Sequence, residues 1–493
     1  MTDTRTPLRN AMRRLAGVAI IACVIVTCAT RVFAQAGASA TLDTARVDTS
    51  ATPVAAAPAN RESYWGEIPV RADSTTAMHV NRSKSTWENV LLAPYVVLKV
   101  PFSLLNAGAR ETVTYLDESG AIHTIAELLG PRQGPFGLVL NLSSGSLEGL
   151  GLGITTYHDA FLAPQNKLRI GLRSSTNGHH RATAGLTIPT GDDGRALEFG
   201  AGYRMHPNSR FFGIGPDSDE DAKSFVRQEL TWFGATYALP LAGDLDFEGG
   251  ALYSMVGTRG PRDDDSPRLD DVFAGSIPPG YGERSDGATW SLALVHDNTR
   301  EDARPERGGV RTVKGGYFTS TDATDVSFWN YRVELQQFVP LWHSKRALAL
   351  RSFVTWLEST GDDDVPFQRL MTNDDPDLLR GYNDFRWTDS GMVLGSAEYR
   401  WPIWNSHTID GPGLDMYLLV DVGQVFGEAE QISMRNMTDS EGLGLRLIDR
   451  NGFRTRLEFA WSEEESVIRL RADQVFQFAK NGLYHGRNPI PVR

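Results

Sequence analysis

Once its leader is removed, this chain has no cysteine. Cys23 and Cys28 both lie in the first 34 residues. The mature protein therefore relies on no disulfide and on no thiolate metal site. It also lacks a long apolar run. After the leader nothing approaches twenty apolar residues, so no spanning helix is expected. Catalytic spacing is missing too: there is no G-x-S-x-G, no Walker loop and no H-E-x-x-H. His179-His180 is a pair with no third ligand in view, and the reading is no enzyme, no metal and no cofactor. Basic excess is absent as well. The 493 residues carry a net charge of −12, and losing five arginines and Asp3 with the leader takes it to −16. Such an acidic product argues against a nucleic-acid partner.

What is present begins with an export signal. Arg5, Arg9, Arg13 and Arg14 precede the apolar stretch 15–29, and Val32-Phe33-Ala34 offers a small-residue cleavage site, so 1–34 reads as a signal peptide. Lipoprotein processing at Cys23 is the alternative, weakened because the apolar run continues past that residue. Residues 35–83, rich in Ala, Thr, Ser and Asp, read as a disordered linker. Residues 84–130 contain WENVLLAPYVVLKVPFSLL and TVTYLDESGAIHTIAELLG, expected as a short periplasmic helical segment that needs a surface to pack on.

From about residue 136 the pattern changes to strict alternation and holds to Phe478. The expected strands are 136–143, 149–157, 167–175, 180–189, 195–205, 224–240, 245–256, 286–298, 309–320, 328–342, 346–359, 392–404, 414–426, 440–449, 453–463 and 466–478, sixteen in all. In FRTRLEFAW, Phe453, Thr455, Leu457, Phe459 and Trp461 share one face while Arg454, Arg456 and Glu458 share the other. A soluble sandwich also alternates, but sixteen long strands with arginines on one face suit a membrane barrel with a polar lumen. Short connections such as LAGD (241–244) alternate with long ones such as 359–392, as periplasmic turns and external loops do. Tyr399, Trp401, Trp404 and Trp461 near strand ends are candidates for an interface girdle. The fold class is thus all-β: a 16-stranded antiparallel transmembrane β-barrel over 131–478, preceded by the short helical segment and followed by a tail, 479–493.

Two stretches organise the rest. LLRGYNDF (378–385) lies in the sixth external loop, and LLVDVGQVF (418–426) lies on a strand with Asp421 and Gly423 on its polar face. An arginine in a loop and an aspartate on a strand can pair bidentately across a lumen. Arg380 and Asp421 are therefore candidates for such a pair across a wet cavity; the alternative is a solvated loop arginine and an ordinary lumen carboxylate, and the strands around them favour the pair. Gly381 gives a sharp turn at the tip, Gly423 leaves room for the loop, and Glu398 points inward beside them. The acidic runs 263–265, 270–271, 362–364 and 374–375 read as solvated external loops, with divalent cations as the alternative.

With these motifs the chain resembles the outer-membrane assembly superfamily, the bacterial surface-antigen barrels of BamA/TamA type. In that family an Arg-Gly-aromatic loop tip folds inward onto an Asp-x-Gly strand motif. Arg380, Gly381 and Tyr382 match the first and Asp421 with Gly423 the second. HDNTR (296–300) with Pro305 and Gly308 resembles the family's Asp-x-Arg…Pro-x-x-Gly turn, through Asp297, Arg300, Pro305 and Gly308. FFGIGPDS (211–218), SAEYRWPI (396–403) and the closing VFQF, with Phe476 and Phe478, also fit. The resemblance covers roughly 130–478. Residues 84–130 are too short for a POTRA domain, and fifteen residues follow Phe478 where family chains usually stop. The resemblance implies an integral outer-membrane protein, inward folding of the sixth loop, outer-membrane lipids as surroundings, and unfolded outer-membrane proteins or lipids as clients. Insertion or translocation is the expected role, a passive pore or structural barrel the alternative, and a monomer the expected state.

Overall fold

The computed structural model describes residues 135–471, apart from 146, 193, 300–305, 342–345, 375–376, 406–412 and 450–451. The leader, the linker, the 84–130 segment and the tail lie outside the described residues.

Among the described residues eighteen strands form, sixteen of them in one antiparallel sheet. The first eight are β1 (Phe136–Gly145), β2 (Gly149–His158), β3 (Lys167–Ser175), β4 (His180–Pro189), β5 (Ala196–Phe211), β6 (Ser224–Ala242), β7 (Leu245–Arg259) and β8 (Arg284–Asp297). Then follow β9 (Gly308–Ser320), β10 (Ser327–Pro340), β11 (Ala347–Ser359), β14 (Gly391–Asn405), β15 (Gly413–Phe426), β16 (Thr438–Asp449), β17 (Gly452–Trp461) and β18 (Ser466–Arg471). The two others, β12 (Met371–Thr372) and β13 (Thr388–Asp389), make a ribbon inside the loop between β11 and β14. Each barrel strand pairs with its neighbour in the chain, β11 with β14, and β1 lies beside β18, so the order runs full circle. Among the described residues that last junction has one register pair, Ser144 opposite Leu470, against ten between β1 and β2.

The alternation that marked the strands also sets their faces. On β8, Ser285, Thr289, Ser291 and Asp297 are buried, while Trp290, Leu292 and Leu294 are 52, 61 and 45 % exposed. Leu152, Leu172, Phe233, Val313 and Ile468 extend this apolar exterior around the wall. A surface so apolar, around an interior lined with charge, belongs in a bilayer.

The strands agree with the sequence reading within a few residues. β5 is the main exception: it continues past 205 to Phe211 through a bulge between His206 and Ser209. Pro207 sits there, where the ladder does not require its missing N–H. The girdle reading needs revision. Trp401 and Trp404 are buried in a cluster with Ile403, Met416 and Leu447. The aromatic row at the external end is instead Tyr317, Trp329, Tyr331 and Trp356, neighbours with ring centroids 4.8, 6.3 and 4.9 Å apart.

Candidate functional site

The sixth loop, 360–390, leaves β11 at the external end and crosses the barrel interior. A 3₁₀ turn, Phe367–Arg369, lays Arg369 against the far wall. There Arg369 donates to Ser254 Oγ (2.7 Å) on β7 and to the Ser285 carbonyl (2.6 Å) on β8, and its guanidinium stands 4.4 Å from the Phe318 ring on β9. Phe367, Leu370, Met371, Leu378, Leu379, Tyr382 and Trp387 of the loop pack with Phe211, Val226, Phe318, Phe328, Phe353, Leu394 and Val425 of the wall in one apolar cluster. The cavity expected to be wet is filled around the loop by this apolar cluster. Leu379 (φ 53°) and Phe385 (φ 66°) take left-handed backbone at either side of the tip. Such strain in large apolar residues persists only where packing over-determines the conformation.

Arg380 is the hub of this tip, and both it and Asp421 are completely buried. Its Nε and Nη2 donate to Asp421 Oδ2 (2.8 Å) and Oδ1 (2.7 Å), a bidentate fork, and its backbone N–H adds a third bond to Oδ2 (3.0 Å). Nη1 bridges Glu398 Oε1 (2.5 Å) on β14 and Glu458 Oε1 (3.1 Å) on β17. One guanidinium thus ties three strands to the loop. The carboxylates are held in turn: Asp421 by Ser396 Oγ (2.7 Å), Glu398 by Arg400 Nε (2.8 Å), Glu458 by Tyr417 Oη (2.8 Å) and Arg456 (3.3 Å). Partial solvation, expected from the sequence, does not hold at this pair, because loop and wall close over it.

The two glycines act differently from the expectation. Gly381 has no positive φ among the described glycines, so the tip does not turn on it. A Cβ there would stand 2.5 Å from both Ser440 Cβ and the Trp461 carbonyl oxygen. Gly381 therefore lets the tip lie directly on β16 and β17. A Cβ on Gly423 would meet the Val393 carbonyl oxygen at 2.7 Å, which is the neighbouring strand rather than the loop. Gly381→Ala is expected to lift the tip and to weaken its docking by about 1–3 kcal/mol. Protease cleavage within 374–390, faster in the variant while gel mobility of the folded barrel is kept, checks this.

Sequence reasoning missed much of the anchoring. Arg456 pairs with Asp377, and Arg469 on β18 donates to the carbonyl oxygens of Arg380 and Tyr382 and to Asp384 Oδ1 (2.9 Å). Arg386 reaches Glu464 Oε2 (2.8 Å) and the Ser218 carbonyl (2.9 Å) and stacks 3.9 Å over Trp387. The arginines of β17 and β18 were visible as an inward face, but alternation alone gives no partner.

The turn motif is brought together in part. Asp297 Oδ1 accepts from Thr299 N (2.9 Å) and Oγ1 (2.7 Å), and Gly308 takes φ 91°, with the Asn298 carbonyl oxygen where a Cβ would stand. Arg300, Pro305, Phe476 and Phe478 lie outside the described residues. The acidic loops satisfy themselves locally: Asp263 caps Ser266 (3.1 Å), Asp270 accepts from Tyr281 Oη (2.8 Å), and Asp363 accepts from Asp325 N (2.7 Å). Among the described residues no group of three metal-ligating side chains forms.

His179, in the external turn before β4, stacks edge-on to His206 (4.6 Å), which meets Phe385 of the loop at 5.7 Å. Burial pulls its pKa down from 6.5 to about 4, against a raising influence from Glu148 and with Arg173, His180 and Arg204 adding to the fall. Unfolding returns the ring to water, where it binds a proton near pH 6.5. Its contribution is therefore complete above that pH and is lost as pH falls toward about 4. Loop docking is expected to weaken across this window, and His179→Gln to flatten the dependence, read by protease access from pH 7.5 to 4.5.

Compared with known proteins, the profile of the Omp85 superfamily domain matches residues 165–480. Among solved structures, BamA from Haemophilus ducreyi lacking POTRA domains 1–3 is similar, at 16 % identity and TM-score 0.50 over 69 % of this chain and 70 % of that one. CdiB from Acinetobacter baumannii matches at 11 % identity and TM-score 0.45, over 69 % and 59 %. No protein with curated annotation matches. The first likeness bears on the fold alone: sixteen antiparallel strands in one sheet.

Proposed function

Since this chain belongs to the Omp85 superfamily, whose barrels sit in the outer membrane, we propose that it assists insertion or translocation of proteins or lipids there, with the junction of β1 and β18 as its working part. One observation carries the reading. The loop is anchored chiefly on β14, β15, β17 and β18, the wall that leads up to that junction, by Arg380 and Arg469. The interior is occupied, so a client has the wall rather than the lumen as its route. In this reading Arg380, Gly381, Tyr382, Glu398 and Asp421 form a loop-to-wall lock, and Gly423 lets β15 lie close to β14 beside it. Asp297, Arg300, Pro305 and Gly308 shape a periplasmic turn, and Phe476 and Phe478 close the last strand. The clients are unfolded outer-membrane proteins or lipids, and the protein works as a monomer in the membrane. The passive-pore alternative is disfavoured by the apolar filling between loop and wall.

Depletion in cells, followed by quantitative proteomics and lipid analysis of the outer membrane, tests this. A joint fall of other barrels or of surface lipids is expected and names the client class. Unchanged composition with reduced uptake of small solutes would make the protein a pore.

A further inference from the structure

On the external part of the outer wall, three arginines of neighbouring strands come together where the loop does not explain them. On β6 the outward face runs Arg227, Glu229, Thr231, Phe233, with the intervening residues buried. Arg227 stands directly opposite Arg259 of β7 in the register, and Glu229 stands opposite Gly257, which in turn faces Arg284 of β8. Two arginines opposed across neighbouring strands repel one another unless an anion lies between them. Glu229 pairs with Arg227, and Asp286 takes Arg284 at 2.6 Å. Arg259 is exposed and, among the described residues, has no partner. Of these three arginines, Arg259 alone is left without a carboxylate among the described residues.

The shape matches that charge. A Cβ built on Gly257 would meet nothing within 4 Å, so an open notch separates Glu229 from Arg284 beneath Arg259. Below the notch come Thr231, Met255 and Asp286, and then the wall turns apolar, with Phe233 stacked on Tyr253 (5.3 Å) and Trp290 exposed one step further down. Arg227 thus sits six residues above Phe233 along β6, with Arg259 opposite it and Arg284 one outward position lower, at the level of lipid headgroups above the belt that faces acyl chains.

We propose that Arg227, Arg259 and Arg284 bind the phosphate of an anionic lipid in the external leaflet, its chains lying on Phe233, Tyr253 and Trp290. Guanidinium groups make bidentate bonds to phosphate, and an anion here would relieve the opposed pair. The site depends on the barrel's seat in the outer membrane and not on which client the protein handles.

Purified full-length protein, exchanged into detergent with a bis-phosphorylated glycolipid or its dephosphorylated form, provides the test, with bound lipid counted by native mass spectrometry. The wild type is expected to retain the phosphorylated lipid, and Arg227→Gln/Arg259→Gln to retain roughly tenfold less, the scale of lost charge-assisted contacts at a half-exposed site. Arg311→Gln is the control, since that outward arginine at the other end already bonds Gln337 (3.3 Å) and His296 (3.1 Å). Unchanged gel mobility shows that the variants fold. Equal retention of both lipids, or an unaffected double variant, overturns the proposal. Full displacement by millimolar inorganic phosphate overturns the lipid as its source.

Discussion

Arg380→Ala is expected to free the sixth loop while leaving the barrel folded. Removing one member of a buried charge network costs about 3–5 kcal/mol, because the partners stay buried without compensation. Here that penalty is uneven. Glu398 keeps Arg400, and Glu458 keeps Tyr417 and Arg456, so both strands retain a counter-partner. Among the described residues Asp421 keeps only the Ser396 hydroxyl, after losing three bonds to Arg380. The cheapest response is for the loop tip to leave and for water to reach Asp421. Cleavage within 374–390 is expected to accelerate by two orders of magnitude or more, the equivalent of about 3 kcal/mol, with the urea midpoint of the barrel little changed. Arg380→Lys should fall between, because an ammonium cannot form the fork to Asp421 and still bridge Glu398 and Glu458. Arg380→Ala/Asp421→Asn should recover part of the loss, since the harm lies in the orphaned charge. A double variant as loose as the single one would show that packing, not charge, holds the tip.

The junction of β1 and β18 gives the second large effect. In an antiparallel pair a step down one strand is matched by a step up the other. Ser144 opposite Leu470 therefore sets Leu138 opposite Phe476 and Phe136 opposite Phe478 if the last strand continues. The faces agree: Phe136 and Leu138 are exposed on the outside, as is Ile468 on β18. A slip of one residue would turn both phenylalanines into the lumen. Leu138→Cys/Phe476→Cys is thus expected to form a disulfide in high yield, since opposed positions fall within disulfide reach and no cysteine follows Cys28 in the chain. Leu138→Cys/Val475→Cys should not. Cross-linking of the second pair in preference to the first would refute the register.

Much of this architecture can be read from the chain, because a barrel strand is local information. Alternation places Leu457 and Phe459 outward and Arg456 and Glu458 inward without knowledge of any neighbour, and the sixteen strands follow. The Arg380–Asp421 pairing is also legible, because Arg380-Gly381-Tyr382 at the loop tip and Asp421 with Gly423 on the strand resemble paired motifs of the family; inward facing alone would not separate Asp421 from Asp415. The rest is not, for a physical reason. Glu458, Asp377 and Arg469 look like ordinary lumen charges until the loop's path is known, and that path depends on contacts 78 to 89 residues away in the chain. Arg369 is harder still, since its partners Ser254 and Ser285 lie across the barrel. A usable signal was overlooked: Phe367, Leu370, Met371, Leu378, Leu379 and Trp387 are too many apolar side chains for a loop in water. They foretell a filled interior rather than a wet one. At two of its four residues the girdle reading changes likewise, because Trp401 and Trp404 at a strand end look the same in sequence whether they are open to headgroups or buried with Met416 and Leu447.

The most direct test of an interior closed by its own loop is electrical. Purified wild-type protein in a planar bilayer is predicted to show no steady conductance, with Arg380→Ala opening it. A wild-type barrel that conducts steadily as an open sixteen-stranded pore, unchanged in Arg380→Ala, would contradict the account.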